Sequence, residues 1–231
     1  MQEHCKINSN AILIFANSSL EELKHKRMPK GGVLFQSLTE HAINTAKKTG
    51  LPYFLITEKE QYGNSFGDRF VNAIKFIFDK GYDNVITIGN DTPQLKSSDI
   101  IKASRLLQAK KAVLGPSRDG GFYLMGLHKS QFDVRAFIEL PWKTNTLTKK
   151  ITILIEASKV DVIQLRVLLD LDTSEDLQRV LKGLKDTSKK IFLLILSLVA
   201  PFREIIVQGF VPSVFNFNNT YFNKGSPFPL H

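Results

Sequence analysis

Three acidic positions stand out for their surroundings. Asp91 follows the apolar run Val85-Ile-Thr-Ile-Gly89, has Asn90 beside it, and is pinned by Pro93 two residues later. It therefore sits just past the end of what reads as a buried strand. Open α/β sheets gather ligands at the carboxyl ends of their strands, and an amide oxygen next to a carboxylate suits a hard Mg²⁺ or Mn²⁺ ion facing phosphates. The same residues, Asn-Asp-Thr-Pro, are also ordinary turn chemistry. Asp119-Gly120-Gly121 separates two further apolar runs, Ala112–Gly115 and Phe122–Leu127. A glycine pair lets backbone N–H groups approach phosphate or sugar oxygens, and Asp-Gly equally marks a hairpin turn. The third cluster is Asp170-Leu-Asp172-Thr-Ser-Glu-Asp176. Asp172 and Asp176 read as the cap and first-turn residues of a helix. Asp170 precedes that helix and can face the same sheet edge as Asp91, where carboxylates from two elements can share one Mg²⁺.

Basic residues cluster at Lys24-His-Lys-Arg27-Met-Pro-Lys30. Arg27 can grip phosphate oxygens bidentately, and the same run also reads as a solvated charged stretch. Gly63, Gly67, Asp68 and Arg69 lead into a helix whose N-terminus can face an anion. The chain carries no Walker A lysine motif and no Gly-x-Gly-x-x-Gly fingerprint. Its five histidines show no metal-binding spacing, and no Ser/His/Asp arrangement stands out.

The elements that must position these residues follow from periodicity. Strands are expected at Ala11–Ala16, Pro52–Thr57, Asn84–Gly89, Ala112–Gly115, Phe122–Leu127 and Val160–Leu165. Helices are expected over Val33–Thr49, Asp68–Lys80, from Ser97 or Ser98 to Gln108, from Asn145 or Thr146 onward, and from Thr173 to Leu184; the stretch Asn17–Gly32 reads as a loop. Strand and helix alternate, which predicts a three-layer αβα domain with a mostly parallel sheet.

Bulk properties narrow the setting. The 231 residues and 43% hydrophobic content support one sizeable core, expected over residues 1–186, followed by an apolar extension over 187–231. That extension is expected to cover the domain or to form a homodimer contact, because a free apolar tail is an aggregation hazard. Lys and Arg exceed Asp and Glu by 31 − 22 = 9. This favours anionic partners, but no basic stripe with interleaved aromatics points to nucleic acid. Cys5 is alone, which excludes an internal disulfide and a thiolate cluster. The polar N-terminus does not read as a secretory signal, and the apolar run Ile191–Ala200 is too short to span a membrane, so a cytoplasmic setting is expected.

Taken in order, several segments resemble a family of GT-A-like transferases, regarded as glycosyltransferases and related to the guanylyltransferases of molybdenum-cofactor and deazaflavin-cofactor synthesis. The segments are Gln61-x-Gly63-x-x-x-Gly67-Asp-Arg69, Ile88-Gly-Asn-Asp-Thr-Pro-Gln-Leu95, Leu114–Leu127, Pro141-Trp142-Lys-Thr144 and Asp170–Leu177. The resemblance implies a GT-A, nucleotide-diphospho-sugar transferase-like fold. It implies a nucleotide or nucleotide-sugar donor, a small-molecule acceptor, and Mg²⁺ or Mn²⁺ on Asp91, Asp170 and Asp172. Asp119 is then the acceptor's base, with Asp91 beside it in catalysis. Arg27, Gly67, Arg69, Asn72, Asn90, Gly120, Gly121 and Trp142 become substrate-binding residues, with Trp142 on the acceptor side. Two departures stand out: the first loop, Asn17–Met28, has no glycine, and Asn90-Asp91 replaces the two-carboxylate Asp-x-Asp. Nucleotidyl transfer with release of pyrophosphate, and nucleotide binding without catalysis, remain as alternatives.

Overall fold

The structure, a computed structural model, describes residues 9–26, 28, 31–182 and 188–199. Its elements are β1 (Asn10–Phe15), α1 (Ser19–His25), α2 (Gly32–Lys47), β2 (Tyr53–Ile56), α3 (Phe66–Asp79), β3 (Asn84–Ile88) and α4 (Ser97–Gln108). They continue with β4 (Ala112–Pro116), β5 (Phe122–His128), a 3₁₀ turn (Lys129–Gln131), α5 (Val134–Ile138), α6 (Leu147–Glu156), β6 (Val162–Gln164), α7 (Ser174–Lys182) and α8 (Lys189–Val199).

The strands form one sheet in the order β2-β1-β3-β5-β4-β6. β1 pairs in parallel with β2 and β3, β4 pairs in parallel with β6, and β5 alone runs antiparallel to its neighbours β3 and β4. The expected mostly parallel α/β sheet is thus observed. Strand β1 shows why both faces are covered: Ala11 and Leu13 join one apolar cluster, while Ile12 and Ile14 join another. Alternate side chains of a strand point to opposite faces, so an unbroken apolar run needs helices on each side. Residues of α3, α5 and α6 fill the first cluster, and residues of α2 and α4 the second.

The chain leaves β1 through α2 to reach β2, then crosses through α3 on the opposite face to reach β3 on the far side of β1. The crossovers diverge between β1 and β3, which makes the carboxyl ends of these two strands the crevice where such sheets take ligands.

One expected loop contains a helix. Residues 19–25 of the Asn17–Gly32 stretch form α1 because Ser18 caps it, its hydroxyl accepting from the Glu21 N–H at 3.3 Å. Glu58 in turn accepts from both the Ser18 N–H and its hydroxyl, each at 2.7 Å, and anchors the cap to the segment after β2. The helical period was masked by the density of charge in Glu21–Lys26.

Helix α8 buries Ile191 and Ile195 in a third cluster with Leu34, Phe35 and Leu38 of α2 and Leu177 and Val180 of α7. The start of the expected 187–231 extension is therefore in contact with the sheet domain; residues 200–231 lie outside the described residues. Among the described residues no helix is long and apolar enough to cross a membrane.

Candidate functional site

All the parallel strands end on one edge of the sheet, and that edge collects the acidic residues. Asp91 follows β3, the turn Ser117–Gly121 joins β4 to β5, and Asp170 and Asp172 follow β6. Two backbone contacts lock these loops together. The Leu171 N–H donates to the Asp91 carbonyl at 2.9 Å, and the Arg118 N–H donates to the Leu168 carbonyl at 3.1 Å.

The centre of the cluster is a residue that the sequence reading passed over. Lys26, at the C-terminal end of α1, projects its ammonium among three carboxylates, with only 12% of its side chain exposed. Its Nζ lies 2.9 Å from Asp172 Oδ1, 3.4 Å from Asp91 Oδ2 and 3.4 Å from Glu22 Oε2, and it donates to the Leu171 carbonyl at 3.0 Å. Burial works against the charge on Lys26, but the fields of Asp91, Asp172 and Glu22 outweigh it and hold the ammonium firmly protonated. The available signal was the Glu22–Lys26 spacing of four, which places both residues on one face of a helix once α1 is recognised.

Asp170 lies deeper. It accepts a hydrogen bond from the Thr92 hydroxyl, and burial together with the nearby charge of Asp91 pushes its carboxyl up to about 8. Burial also raises Glu22, opposed by Lys26. The Asp172 carboxyl is pushed up by burial and Asp91 despite the pull of Lys26. Because 48% of its side chain is exposed, water screens that push more than at Asp170.

Asp119 is held by its own turn. Its Oδ1 accepts from the Ser117 hydroxyl at 2.5 Å and from the Gly121 N–H at 3.0 Å, and its side chain faces a cavity of about 140 Å³. Arg118, Asp170, Asp172, Asp176 and Arg179 share that cavity. The hairpin reading of the segment is observed, and the turn places the Asp119 carboxylate at the edge where Asp91 lies.

Other expected site residues serve packing. Gly120 has φ +92°, and a Cβ there would lie 2.1 Å from the Asn145 carbonyl oxygen, so its close approach is to the chain's own backbone before α6. Thr148 reinforces this contact: its N–H and hydroxyl donate to the Gly120 carbonyl at 3.1 and 2.9 Å, and its hydroxyl also donates to Gly121. A Cβ at Gly67 would meet the Trp142 ring at 2.5 Å, so this glycine lets the indole lie against α3. Trp142 is partly buried against the apolar cluster that α3, α5 and α6 fill. Its N–H donates to the Phe137 carbonyl at 2.9 Å, and its ring packs 5.1 to 6.4 Å from Phe66, Phe70 and Phe122.

Asn90 is buried, and its amide donates to Thr39 of α2 at 2.9 Å, which ties the β3 loop to that helix. Arg69 and Asn72 are not gathered with the carboxylates. They line a larger cavity of about 570 Å³ along the β2 edge, with Tyr53, Leu55, Tyr62 and Phe76, and the Asn72 amide donates to the Tyr62 carbonyl at 3.0 Å. That cavity is mostly apolar-walled and holds none of the clustered carboxylates. Arg27 lies outside the described residues. Asp172 is not the helix cap: Thr173 takes that place, with its hydroxyl accepting from the Asp176 N–H at 3.3 Å while Asp176 accepts from the Thr173 N–H at 2.9 Å.

The expected metal site on Asp91, Asp170 and Asp172 does not fit this arrangement. Among the described residues no three His, Cys, Asp or Glu side chains form a group that could hold a metal ion. Asp91 and Asp172 do converge, but on the Lys26 ammonium, at distances well beyond the ~2.1 Å of a Mg²⁺–oxygen bond. Asp170 turns instead to Thr92.

Comparison with known proteins supports the frame. Residues 33–144 match a family described as "Uncharacterized protein conserved in bacteria (DUF2064)". No curated protein matches the chain. A crystal structure described as a "putative nucleotide-diphospho-sugar transferase" from Desulfovibrio desulfuricans G20 aligns with a TM-score of 0.73 at 22% identity, covering 87% of this chain and 96% of that one. A homologue of Mycobacterium tuberculosis Rv0371c from Mycobacterium sp. strain JC1 aligns at 16% identity and TM-score 0.49, covering 80% and 98%. The 4-diphosphocytidyl-2C-methyl-D-erythritol synthase of Anaerococcus prevotii DSM 20548 aligns at 13% identity and TM-score 0.49, covering 73% and 94%. The fold is that of the nucleotide-diphospho-sugar transferases, and the family resemblance read from the sequence is borne out.

Proposed function

We propose that the chain is a transferase that takes a nucleoside-diphosphate sugar as donor and passes the sugar to a small hydroxyl acceptor. The observation that carries this reading is the gathering of Asp91, Asp119, Asp170, Asp172 and Lys26 at the carboxyl ends of the strands, over the point where the crossovers diverge. The cavity beside Asp119, about 140 Å³, is below the ~300 Å³ of a typical whole-ligand pocket. It suits one phosphate or one sugar ring, with the rest of the donor along the open rim.

In the proposed reaction the acceptor hydroxyl attacks the anomeric carbon, the bond from that carbon to the diphosphate oxygen breaks, and the nucleoside diphosphate leaves. The acceptor's proton goes to Asp119, whose Oδ1 is fixed by Ser117 and Gly121 while Oδ2 remains for the acceptor. Lys26 and Arg118 supply the positive charge that offsets the charge developing on the departing diphosphate. A panel of nucleotides and nucleotide sugars in a thermal-shift assay tests the donor, since a ligand of the folded state raises Tm. Product analysis then separates the chemistries. Nucleoside diphosphate release supports sugar transfer, pyrophosphate release points to nucleotidyl transfer, and binding without product leaves a nucleotide-binding protein. No shift with any compound contradicts the donor reading.

A further inference from the structure

We infer that Lys26 is the fixed cation of this site, standing where a divalent metal would otherwise bridge Asp91 and Asp172. The partners of its Nζ are all hard oxygens, the type a divalent metal prefers, though they are spaced for an ammonium: carboxylates of Asp91, Asp172 and Glu22, and the Leu171 carbonyl. These donors come from three loops or helix ends, and they meet at one point already filled by an ammonium. The geometry is an ammonium's, with contacts of 2.9 to 3.4 Å rather than metal bonds.

The surroundings hold Lys26 in place. It closes α1, its own N–H donating to the Glu22 carbonyl at 2.8 Å, and α1 is anchored through Ser18 to Glu58. The Phe35 ring lies 5.8 Å from the ammonium and adds a cation–π contact. The Leu171–Asp91 backbone bond sets the spacing of the two carboxylates without any metal. A divalent ion would have to displace the lysine from three carboxylates and a carbonyl, and two like cations cannot share that point. The consequence for the site is a positive charge that is always present and does not depend on metal supply.

Two measurements on the full chain test this. The first is a Mn²⁺ titration of the free protein, followed by the loss of the aqueous Mn²⁺ signal in electron paramagnetic resonance. The wild type is expected to take up no stoichiometric Mn²⁺, and Lys26→Met to take up one ion that Lys26→Met/Asp91→Asn loses. Stoichiometric uptake by the wild type that Asp91→Asn abolishes overturns the inference, and so does a folded Lys26→Met that gains no ion. Should Lys26→Met fail to fold, the wild-type titration and Lys26→Arg, expected to exclude Mn²⁺ equally, still decide.

The second measurement is calorimetric binding of ADP, CDP, GDP and UDP in EDTA and in Mn²⁺; it rests on the function proposed above. The wild type is expected to bind one of them with affinities within about twofold in the two conditions, and Lys26→Met to lose at least about tenfold in EDTA. Binding that appears only with Mn²⁺ overturns the inference and leaves the nucleotide reading intact. Binding of none of the four contradicts the nucleotide reading, and the Mn²⁺ titration then judges Lys26 alone.

Discussion

The carboxyl end of β3 and the N-terminal end of α3 both carry residues that look made for ligands, and they do opposite things. Around β3, Asp91 and Asp172 meet Lys26 beside the half-buried Asp170, so polar groups face one another across the rim. Around α3, Gly67 and Trp142 meet Phe66, Phe70 and Phe122 in an aromatic cluster that joins the core. A glycine beside a helix N-terminus fits a phosphate or an indole equally well by type. What separates the cases is what fills the missing Cβ volume, and at Gly67 it is a tryptophan ring. The carboxylates differ because they face polar partners, Lys26 for Asp91 and Asp172 and Thr92 for Asp170.

The contrast breaks most visibly at the aromatic wall. Trp142→Ala removes the ring at the centre of that cluster and is expected to cost about 3–5 kcal/mol, read by urea denaturation. The folded fraction should keep its nucleotide affinity; a selective loss of affinity with little loss of stability would return Trp142 to the site. Gly120→Ala places a methyl group against the Asn145 backbone in a left-handed conformation and should cost about 3 kcal/mol. If it is neutral for folding and harmful only to binding, the glycine faces ligand rather than Asn145. Gly67→Ala should cost about 1–3 kcal/mol by overpacking the Trp142 ring, and part of that should be recovered in Gly67→Ala/Trp142→Phe. Strict additivity would separate the two residues.

The smallest effect belongs to the polar end and depends on pH. Asp170 has its folded pKa raised from 3.8 to about 8, so its neutral form is the one the fold accommodates. Its contribution is full below the unfolded value and is lost as pH rises through the folded one. Lys26 remains charged across this window, and His41, whose pKa is lowered mainly by burial, works in the opposite sense, gaining stability as pH rises. The difference between Asp170→Asn and wild type therefore isolates the carboxyl. Asp170→Asn should be more stable above pH 8, by about 1 kcal/mol or ~2–4 °C in Tm, and the advantage should shrink as pH falls below 8 and vanish towards pH ~4. A pH-independent difference would mean that Asp170 is ionised throughout.

How much of this was legible follows from what each signal reports. The β1 and β3 strands were readable because unbroken apolar runs have no other stable place than a sheet covered on both faces. The β4–β5 hairpin was readable because Asp119-Gly120 carries its own turn chemistry. Helix α1 was not, since seven residues dense in charge show little apolar period, and with α1 hidden the inward aim of Lys26 was hidden too. Lys26 looked like one more member of a basic run. The contact of Trp142 with Gly67 was not legible, because it lies across 75 residues of chain and composition cannot tell a stacked ligand from a stacked side chain.

The claim that the working edge lies over the diverging crossovers of β1 and β3 is tested most directly by mapping nucleotide contacts on the folded chain. Amide chemical shifts of ¹⁵N-labelled protein should be followed while ADP, CDP, GDP or UDP is added. The account predicts that the largest changes fall on Asp91, Arg118–Gly121 and Leu171–Thr173. Changes confined to Tyr53–Tyr62 and Arg69–Phe76, along the β2 edge, would contradict it.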